Sequence, residues 1–203
     1  MSALMTGPAA DRQRATPLRR LALAILRIAG WRVEGTAPAI VKYVLIGAPH
    51  TSNWDFVLAL LAKAALDLRF RWVGKDSLFR WPFGGLMRWL GGIPVNRRAR
   101  NQFTDFLVKQ FRESRELVVV ITPEGTRSRT EHWRSGFYYL ALHAGVPLVL
   151  GFVDYRRKTL GIGPTLTLTG DMEADMAPIR EFYAGKQGLY PQKMGEVRIL
   201  PRL

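Results

Sequence analysis

Short apolar runs alternate with longer segments of helical periodicity along most of the chain. The runs predicted as strands are rich in β-branched and aromatic residues, and they occupy residues 43–48, 70–74, 91–95, 117–121 and 146–153. The segments with apolar residues at helical spacing occupy residues 56–66, 83–90, 99–114 and 136–144. Strands that alternate with helices in this way indicate an α/β fold with a substantially parallel sheet.

The last third of the chain departs from this alternation. Residues 156–168 predict two short strands at an antiparallel edge, residues 173–183 predict a final helix, and residues 185–203 are expected to be mostly loop. The chain has 203 residues, enough for one sizeable core, and it contains no internal repeat. We therefore predict a single-domain, layered mixed sheet that is largely parallel and is flanked by helices.

The N-terminal part of the chain has a different character. Residues 1–17 are rich in Ala, Pro and Arg, lack periodicity and are expected to be mobile. Residues 18–34 predict an amphipathic helix that is too short and too charged to span a bilayer, which needs about 20 apolar residues. Such a helix either lies in the headgroup region of a membrane or packs on the domain's own core. The sequence leaves both possibilities open.

Aromatic residues are concentrated between the second and third predicted strands. The cluster consists of Trp72, Phe79, Trp81, Phe83 and Trp89. We predict that these residues pack in the core. An acyl tunnel, or a rim that faces a membrane, would use the same side chains.

Composition adds two constraints. The chain contains no cysteine, which excludes disulfides and a cysteine nucleophile and suits a reducing compartment. Its formal net charge is +14, which implies an anionic partner. That partner is nucleic acid, an acidic membrane face, or a phosphorylated substrate or coenzyme.

Candidate chemistry begins in the turn that follows residues 43–48. His50 lies in this turn, and Asp55 follows it in the predicted first turn of a helix. A histidine accepts a hydroxyl proton near neutral pH, and a carboxylate behind its other nitrogen fixes the tautomer. A polar turn of this kind is also typical of a helix cap made by Ser52 or Asn53 beside a solvated histidine.

Two further strand ends carry polar side chains. Residues 117–121 end in the loop PEGTRS, in which Glu124 and Thr126 supply hydrogen-bonding groups and Arg127 offers a fork of donors suited to phosphate. The short run at residues 91–95 is followed by Arg97. Three strand ends therefore deliver a His/Asp pair and two arginines.

Four blocks in this order, HTSNWD, GGIPVNR, PEGTRS and VPLVL, resemble those of the glycerolipid acyltransferases typified by 1-acylglycerol-3-phosphate (lysophosphatidic acid) acyltransferase. The blocks span residues 50–150. The resemblance implies that His50 is the general base and that Asp55 is its partner. It also implies a substrate-binding set made of Arg97, Glu124, Gly125, Thr126 and Arg127.

The resemblance further implies the reaction. An acceptor hydroxyl would attack an acyl thioester directly, with acyl-CoA or acyl-ACP (acyl carrier protein) as co-substrate and no cofactor. The implied acceptor is a lysophospholipid, most simply 1-acylglycerol-3-phosphate, in phospholipid biosynthesis. An uncharged or different lipid acceptor is the alternative, because Pro49 and Thr122 depart from the family pattern.

The resemblance divides the chain and suggests a location. Residues 35–203 form the predicted acyltransferase domain, after residues 1–17 and the segment 18–34. We expect a peripheral protein on the cytoplasmic face of an anionic membrane, with no nucleic-acid partner. The two arginines would clamp the acceptor phosphate, or else pair with Glu124 or another carboxylate.

Other classes of function fit the sequence less well. A Gly-x-Ser-x-Gly elbow, a phosphate loop and a dinucleotide glycine pattern are missing. His132 and His143 lack a third residue at metal-ligand spacing, so we expect no metal site. A non-catalytic basic module that binds membrane or nucleic acid would explain the charge, but it gives no role to His50 and Asp55.

Overall fold

The computed structural model describes residues 16–95 and 100–200 of the chain. The α-helices in these ranges are α1 Pro17–Ile28, α2 Trp54–Ala65, α3 Gly84–Trp89, α4 Arg100–Glu113, α5 Gly136–Ala144 and α6 Met172–Tyr183. The strands are β1 Arg32–Glu34, β2 Lys42–Ala48, β3 Phe70–Lys75, β4 Gly92–Val95, β5 Leu117–Ile121, β6 His132–Trp133, β7 Leu148–Asp154, β8 Thr159–Leu166 and β9 Glu196–Ile199. A short 3₁₀ helix, Asp76–Phe79, links β3 to α3.

The main sheet has seven strands in the order β1-β8-β7-β2-β5-β3-β4. The five strands from β7 to β4 are mutually parallel, β8 runs antiparallel to β7, and β1 pairs in parallel with β8. The predicted mixed, largely parallel sheet is therefore confirmed. Strand β2 lies at its centre between β5 and β7, so the turn after Ala48 opens in the middle of the carboxyl edge, where α/β proteins bind ligands.

Helices cover both faces of this sheet, because side chains alternate along each strand. On β2, Tyr43 and Leu45 pack on one side, and Val44 and Ile46 pack on the other. The first side is covered by α1, α2 and residues 76–91, which we call the α1–α3 layer. The second side is covered by α4, α5 and α6.

The sheet differs from the prediction at its antiparallel end. Residues 156–168 form the single strand β8 rather than two, and β8 is an inner strand because β1 pairs along its free side. The N-terminal helix ends at Ile28, and Gly30 then takes a left-handed φ of 78° that turns the chain into β1. The expected loop at residues 185–203 also contains β9, which pairs with β6. Such short strands have too few residues for a hydrophobic period.

Helix α1 packs on the domain's core, which is one of the two possibilities that its sequence left open. Ala22 and Leu26 are buried against α2, whereas Leu21 and Ile28 are exposed. The helix therefore belongs to the domain's core and still presents an apolar outer face. Residues 1–15, expected to be mobile, lie outside the described residues. Within the described ranges, each helix is too short or too polar to cross a membrane.

The aromatic cluster divides between core and surface. Trp72 and Phe79 are buried and stack with ring centroids 5.6 Å apart. In contrast, Trp81, Phe83 and Trp89 are exposed. The prediction of core packing is therefore right for two of these five side chains and wrong for the other three.

We expect Leu26→Ala to lower the free energy of unfolding by about 2–5 kcal/mol, since it would leave a cavity between α1 and α2. The exposed Leu21 of the same helix is the matched control, and Leu21→Ala should change the value by about 0.5 kcal/mol or less. Urea titration followed by circular dichroism measures both. Equal small effects would mean that α1 does not contribute to the core.

Candidate active site

The turn between β2 and α2 is held by a side chain from the first turn of the helix. The Oδ2 atom of Asp55 accepts hydrogen bonds from the backbone N–H groups of Thr51 at 2.7 Å and Ser52 at 2.8 Å. Asn53 makes no capping bond with its side chain, and the hydroxyl of Ser52 accepts only the N–H of Trp54. The expected cap is thus made mainly by the buried carboxylate of Asp55.

The same carboxylate contacts the ring of His50. Nδ1 of His50 lies 3.2 Å from Oδ2 of Asp55, and the histidine side chain is 18% exposed. An ionised carboxylate is only an acceptor, so this contact puts the ring proton on Nδ1 and leaves the lone pair on Nε2. The pair that the sequence separates by five residues is therefore brought together in the arrangement of a general base and its orienting acid.

A third residue, which sequence reasoning missed, completes this group. The hydroxyl of Tyr155, in the turn between β7 and β8, donates a hydrogen bond of 2.7 Å to Oδ1 of Asp55. The Tyr155 ring packs edge-to-face against the Trp31 ring, with the ring centroids 5.0 Å apart. Burial, followed by the hydrogen bond to the Asp55 carboxylate, raises the pKa of Tyr155 strongly, so it remains a donor. No local pattern connects residues so far apart in sequence.

The ionisation state of Asp55 follows from these contacts. Burial alone raises the pKa of a carboxyl group, but hydrogen bonds from His50, Tyr155 and the Ser52 N–H outweigh that effect. The net result is a pKa below the usual range. Asp55 is therefore a fixed negative charge at neutral pH, placed against Nδ1 of His50.

Glu124 supports the same turn from the neighbouring strand. Its side chain is buried, and Oε1 accepts the backbone N–H of His50 at 2.9 Å. Its second oxygen, Oε2, has no hydrogen-bond partner among the described residues. Burial raises the pKa of Glu124 above its usual range, against the opposing effect of the backbone N–H donors. This geometry makes Glu124 a group that positions His50, whereas the sequence placed it among the substrate-binding residues.

The rest of the PEGTRS loop is arranged by its glycine. Gly125 has a φ of 64°, and a Cβ atom at this position would come within 2.8 Å of the Arg134 side chain. Thr126 uses its hydroxyl to accept the N–H of Ser128. Within the described ranges Arg127 is exposed and pairs with no carboxylate, so the expected alternative of a pair with Glu124 is not formed.

Arg97 lies outside the described residues, so its predicted place beside Arg127 stays a prediction. The five predicted substrate-binding residues are therefore not equivalent. Glu124 is enclosed, Gly125 shapes the loop, and Arg127 is exposed and forms no ion pair among the described residues. A free guanidinium group at a strand end is the feature suited to an anionic ligand.

A cavity of about 400 Å³ lies beside this loop, between the carboxyl ends of β3 to β5 and helices α4 and α5. Its wall is mainly apolar, with Phe103, Leu107 and Phe137, and it also includes Lys75 and Arg134. Pro123 and Gly125, which flank Glu124, line it as well, whereas the His50 and Asp55 side chains do not. The volume falls within the range of about 300–1,000 Å³ that is usual for ligand pockets.

Among the described residues no three His, Asp or Glu side chains are grouped for a metal ion.

Similar proteins are known for the part of the chain that contains these motifs. A family model described as Acyltransferase matches residues 32–149. The 1-acyl-sn-glycerol-3-phosphate acyltransferase of Salmonella typhimurium is 34% identical over 129 residues, which are 59% of this chain and 51% of that protein. The Escherichia coli protein of the same name is 33% identical over 108 residues, or 50% and 43% of the two chains. The chain spans about half the length of the curated relatives it matches.

One solved structure is similar in fold. The 1-acyl-sn-glycerophosphate (LPA) acyltransferase PlsC from Thermotoga maritima matches with a TM-score of 0.53 over 84% of this chain and 80% of that chain, at 15% identity. This likeness concerns the fold alone. The family match ends at residue 149, before Tyr155, so the tyrosine that completes the His50 group lies beyond the matched region.

We expect Asp55→Asn to lower the free energy of unfolding at pH 7 by about 1–3 kcal/mol, because its amide cannot accept all the donors that face the carboxylate. The pH dependence should change as well. The pKa of Asp55 lies below its usual 3.8, so its stabilisation is complete above that pH and is lost as the pH falls through the lowered value. The mutant should therefore lose less stability below pH 4 than the wild type.

Urea titrations at a series of pH values between 2 and 7 measure this difference. Tyr155→Phe is the matched comparison, because it removes one donor and keeps the carboxylate, and its acid profile should lie between the other two. Parallel profiles for the wild type and Asp55→Asn would show that folding does not lower the pKa of Asp55.

Proposed function

The chain belongs to the acyltransferase family, whose model matches residues 32–149, and from this premise we propose that it moves a fatty acyl group from a thioester to the hydroxyl of a lysophospholipid. The observation that carries the proposal is the contact between His50 Nδ1 and Asp55 Oδ2 at the centre of the sheet's carboxyl edge. The favoured acceptor is 1-acylglycerol-3-phosphate, in phospholipid biosynthesis, because several relatives carry that name.

The proposed reaction uses His50 as a general base. As the acceptor oxygen attacks the thioester carbonyl, Nε2 of His50 takes the hydroxyl proton, and Asp55 stabilises the imidazolium that forms. The C–S bond then breaks, and the departing sulfur takes the proton from His50, which yields an ester and a free thiol. General-base help of this kind contributes about 10²–10⁴ to the rate. Tyr155 and Glu124 hold Asp55 and His50 in place for this step.

The acyl donor is proposed to be acyl-CoA or acyl-ACP, used as a co-substrate without a further cofactor. Both carriers are anionic, and the net charge of +14 supports either one. The cavity beside the PEGTRS loop offers an apolar wall with Lys75 and Arg134 among its lining residues. These features support binding of a substrate that combines an acyl chain with a charged group.

The acceptor phosphate is proposed to bind Arg127, together with Arg97. Arg127 follows β5, the strand beside β2, and its guanidinium group forms no ion pair among the described residues. A planar fork of donors holds a phosphate in two places, which a lysine cannot do. An acceptor without a phosphate is the competing proposal, and the experiment below on Arg127 decides between them.

The proposed location is the cytoplasmic face of an anionic membrane, where the protein is peripheral and binds no nucleic acid. A lysolipid acceptor is found at such a surface, and the cationic surface supports attraction to it. A basic module without catalysis would share this location. It is disfavoured because it leaves the His50, Asp55 and Tyr155 group, and family membership, without a function.

We expect His50→Ala to reduce acyl transfer by about 10²-fold or more, since it removes the proton acceptor. The backbone N–H that binds Glu124 remains, so the variant should fold. Mass spectrometry of the products formed from acyl-CoA or acyl-ACP with a mixture of lysolipids measures the rate. The control is His143→Ala, an exposed histidine in the last turn of α5, which should keep wild-type activity. A folded His50→Ala protein with near-normal turnover would contradict the mechanism.

We expect Arg127→Lys to raise the KM for a lysophosphatidate acceptor by about tenfold, roughly the loss of one charge-assisted hydrogen bond. The KM for the thioester should change little. Arg129→Lys, a change at another exposed arginine of the same loop, is the matched control. Initial rates on acceptors with and without the phosphate measure the effect. An equal loss on both acceptors, or a wild type that prefers the uncharged one, would exclude Arg127 as the phosphate ligand.

A further inference from the structure

Large hydrophobic side chains are unevenly distributed on the surface. Among the described residues, most of those that are exposed lie on the α1–α3 layer, and the layer of α4 to α6 exposes Phe106. The greatest exposure is in residues 78–89, which we call the aromatic segment. Trp81 is 93% exposed, Trp89 is 81% exposed and Phe83 is 65% exposed. Several aromatic side chains at the surface of one short segment indicate an interaction site.

The aromatic segment is anchored to the domain at its base. Phe79 is buried and stacks on Trp72, and the side chain of Arg88 donates to the Phe79 carbonyl oxygen at 3.3 Å. Gly84 packs so closely that a Cβ atom there would lie 2.1 Å from the same oxygen. The exposed rings are therefore presented by a backbone that the core holds in position.

The charges around these rings are mainly positive. Arg80 and Arg88 are exposed within the segment, and Lys75 is exposed just before it. On the outer face of α1, exposed Arg20 and Arg27 accompany exposed leucine and isoleucine side chains. Asp76 is the acidic residue nearest in sequence to the segment. Arginines interleaved with exposed tryptophans match a surface that is negative outside and apolar just beneath, as the interface of an anionic bilayer is.

The position of this surface fits the candidate site. β3 is parallel to β5, which is parallel to β2, so the aromatic segment begins at the same edge of the sheet as the His50 turn. Trp54, which directly precedes Asp55, is 64% exposed on the same layer. A flat apolar surface that covers this layer would therefore contact Trp54, beside the His50 turn.

We propose that the aromatic segment, aided by the outer face of α1, docks this protein on the surface of an anionic lipid bilayer. The proposal deepens the proposed function, since it names the surface through which a lysolipid would reach His50. A second copy of this chain fits the surface poorly, because its own cationic layer would repel the first. An acidic protein such as acyl carrier protein would meet the charges but would need its own apolar face to cover the rings.

The test is flotation of the protein with vesicles of phosphatidylcholine alone and of phosphatidylcholine with phosphatidylglycerol. The triple variant Trp81→Ala, Phe83→Ala, Trp89→Ala should bind the anionic vesicles at least about tenfold less than the wild type, because it loses the inserted rings. The matched control is Phe106→Ala on the opposite layer, which should bind as the wild type does. Thermal unfolding checks the fold, and Trp81→Ser, at the most exposed ring, is the second variant if the triple variant is unstable.

Activity separates this proposal from the proposed function. On a short-chain lysolipid that is monomeric in water, the triple variant should keep the wild-type rate, and on a vesicle-borne acceptor it should lose about tenfold or more. A wild type that binds vesicles but transfers no acyl group would overturn the function and leave the docking surface in place. Equal vesicle binding by wild type and triple variant would overturn the docking surface. Two other results would also overturn it, provided that the triple variant still binds vesicles as the wild type does. One is a wild-type dimer that the triple variant does not form. The other is retention of the wild type, but not of the triple variant, on immobilised acyl carrier protein.

Discussion

The arrangement of the candidate site depends on keeping one carboxylate charged inside the protein. An isolated buried carboxylate is costly, and Asp55 avoids that cost because two backbone N–H groups, the His50 ring and the Tyr155 hydroxyl surround its two oxygens. These donors come from the turn after β2 and from the distant turn after β7. One charged group therefore fixes the shape of the β2–α2 turn, the tautomer of His50 and the join between two parts of the chain.

A second buried carboxylate completes the support, and its environment acts in the opposite direction. Glu124 binds the backbone N–H of His50, but few donors reach it, so burial raises its pKa while that of Asp55 is lowered. The negative charge of Asp55 adds to the upward shift at Glu124. The pKa values of the two carboxyl groups beside one histidine are thus shifted in opposite directions. Asp55 contacts Nδ1 of the His50 ring, and Glu124 accepts the His50 backbone N–H. These two contacts restrict the movement of His50.

The sequence predicts the parts of this site that are local and fails where the contact is made by the fold. The strand at residues 117–121 and the helix at residues 136–144 have the predicted bounds, because their apolar periods are long and unambiguous. The His50 and Asp55 contact follows from five residues of spacing. Tyr155 could not be predicted, since it reaches Asp55 only through the pairing of β7 with β2. The burial of Glu124 could not be predicted either, because the residue types of its loop are suited both to binding a ligand and to binding other parts of the protein.

The exposure of the aromatic segment could not be predicted from the sequence either. The segment also bears on the high net charge. The sequence shows that Trp81 and Trp89 are apolar like Trp72 and Phe79, but only the fold shows that the first two are exposed and the other two buried. Exposed tryptophans favour self-association in water. A net charge of +14 opposes that association between copies and at the same time attracts an anionic surface, so one property keeps the apolar layer free until it meets its partner. On this argument the charge and the aromatic rings form one adaptation, and neither is explained by the chemistry at His50 alone.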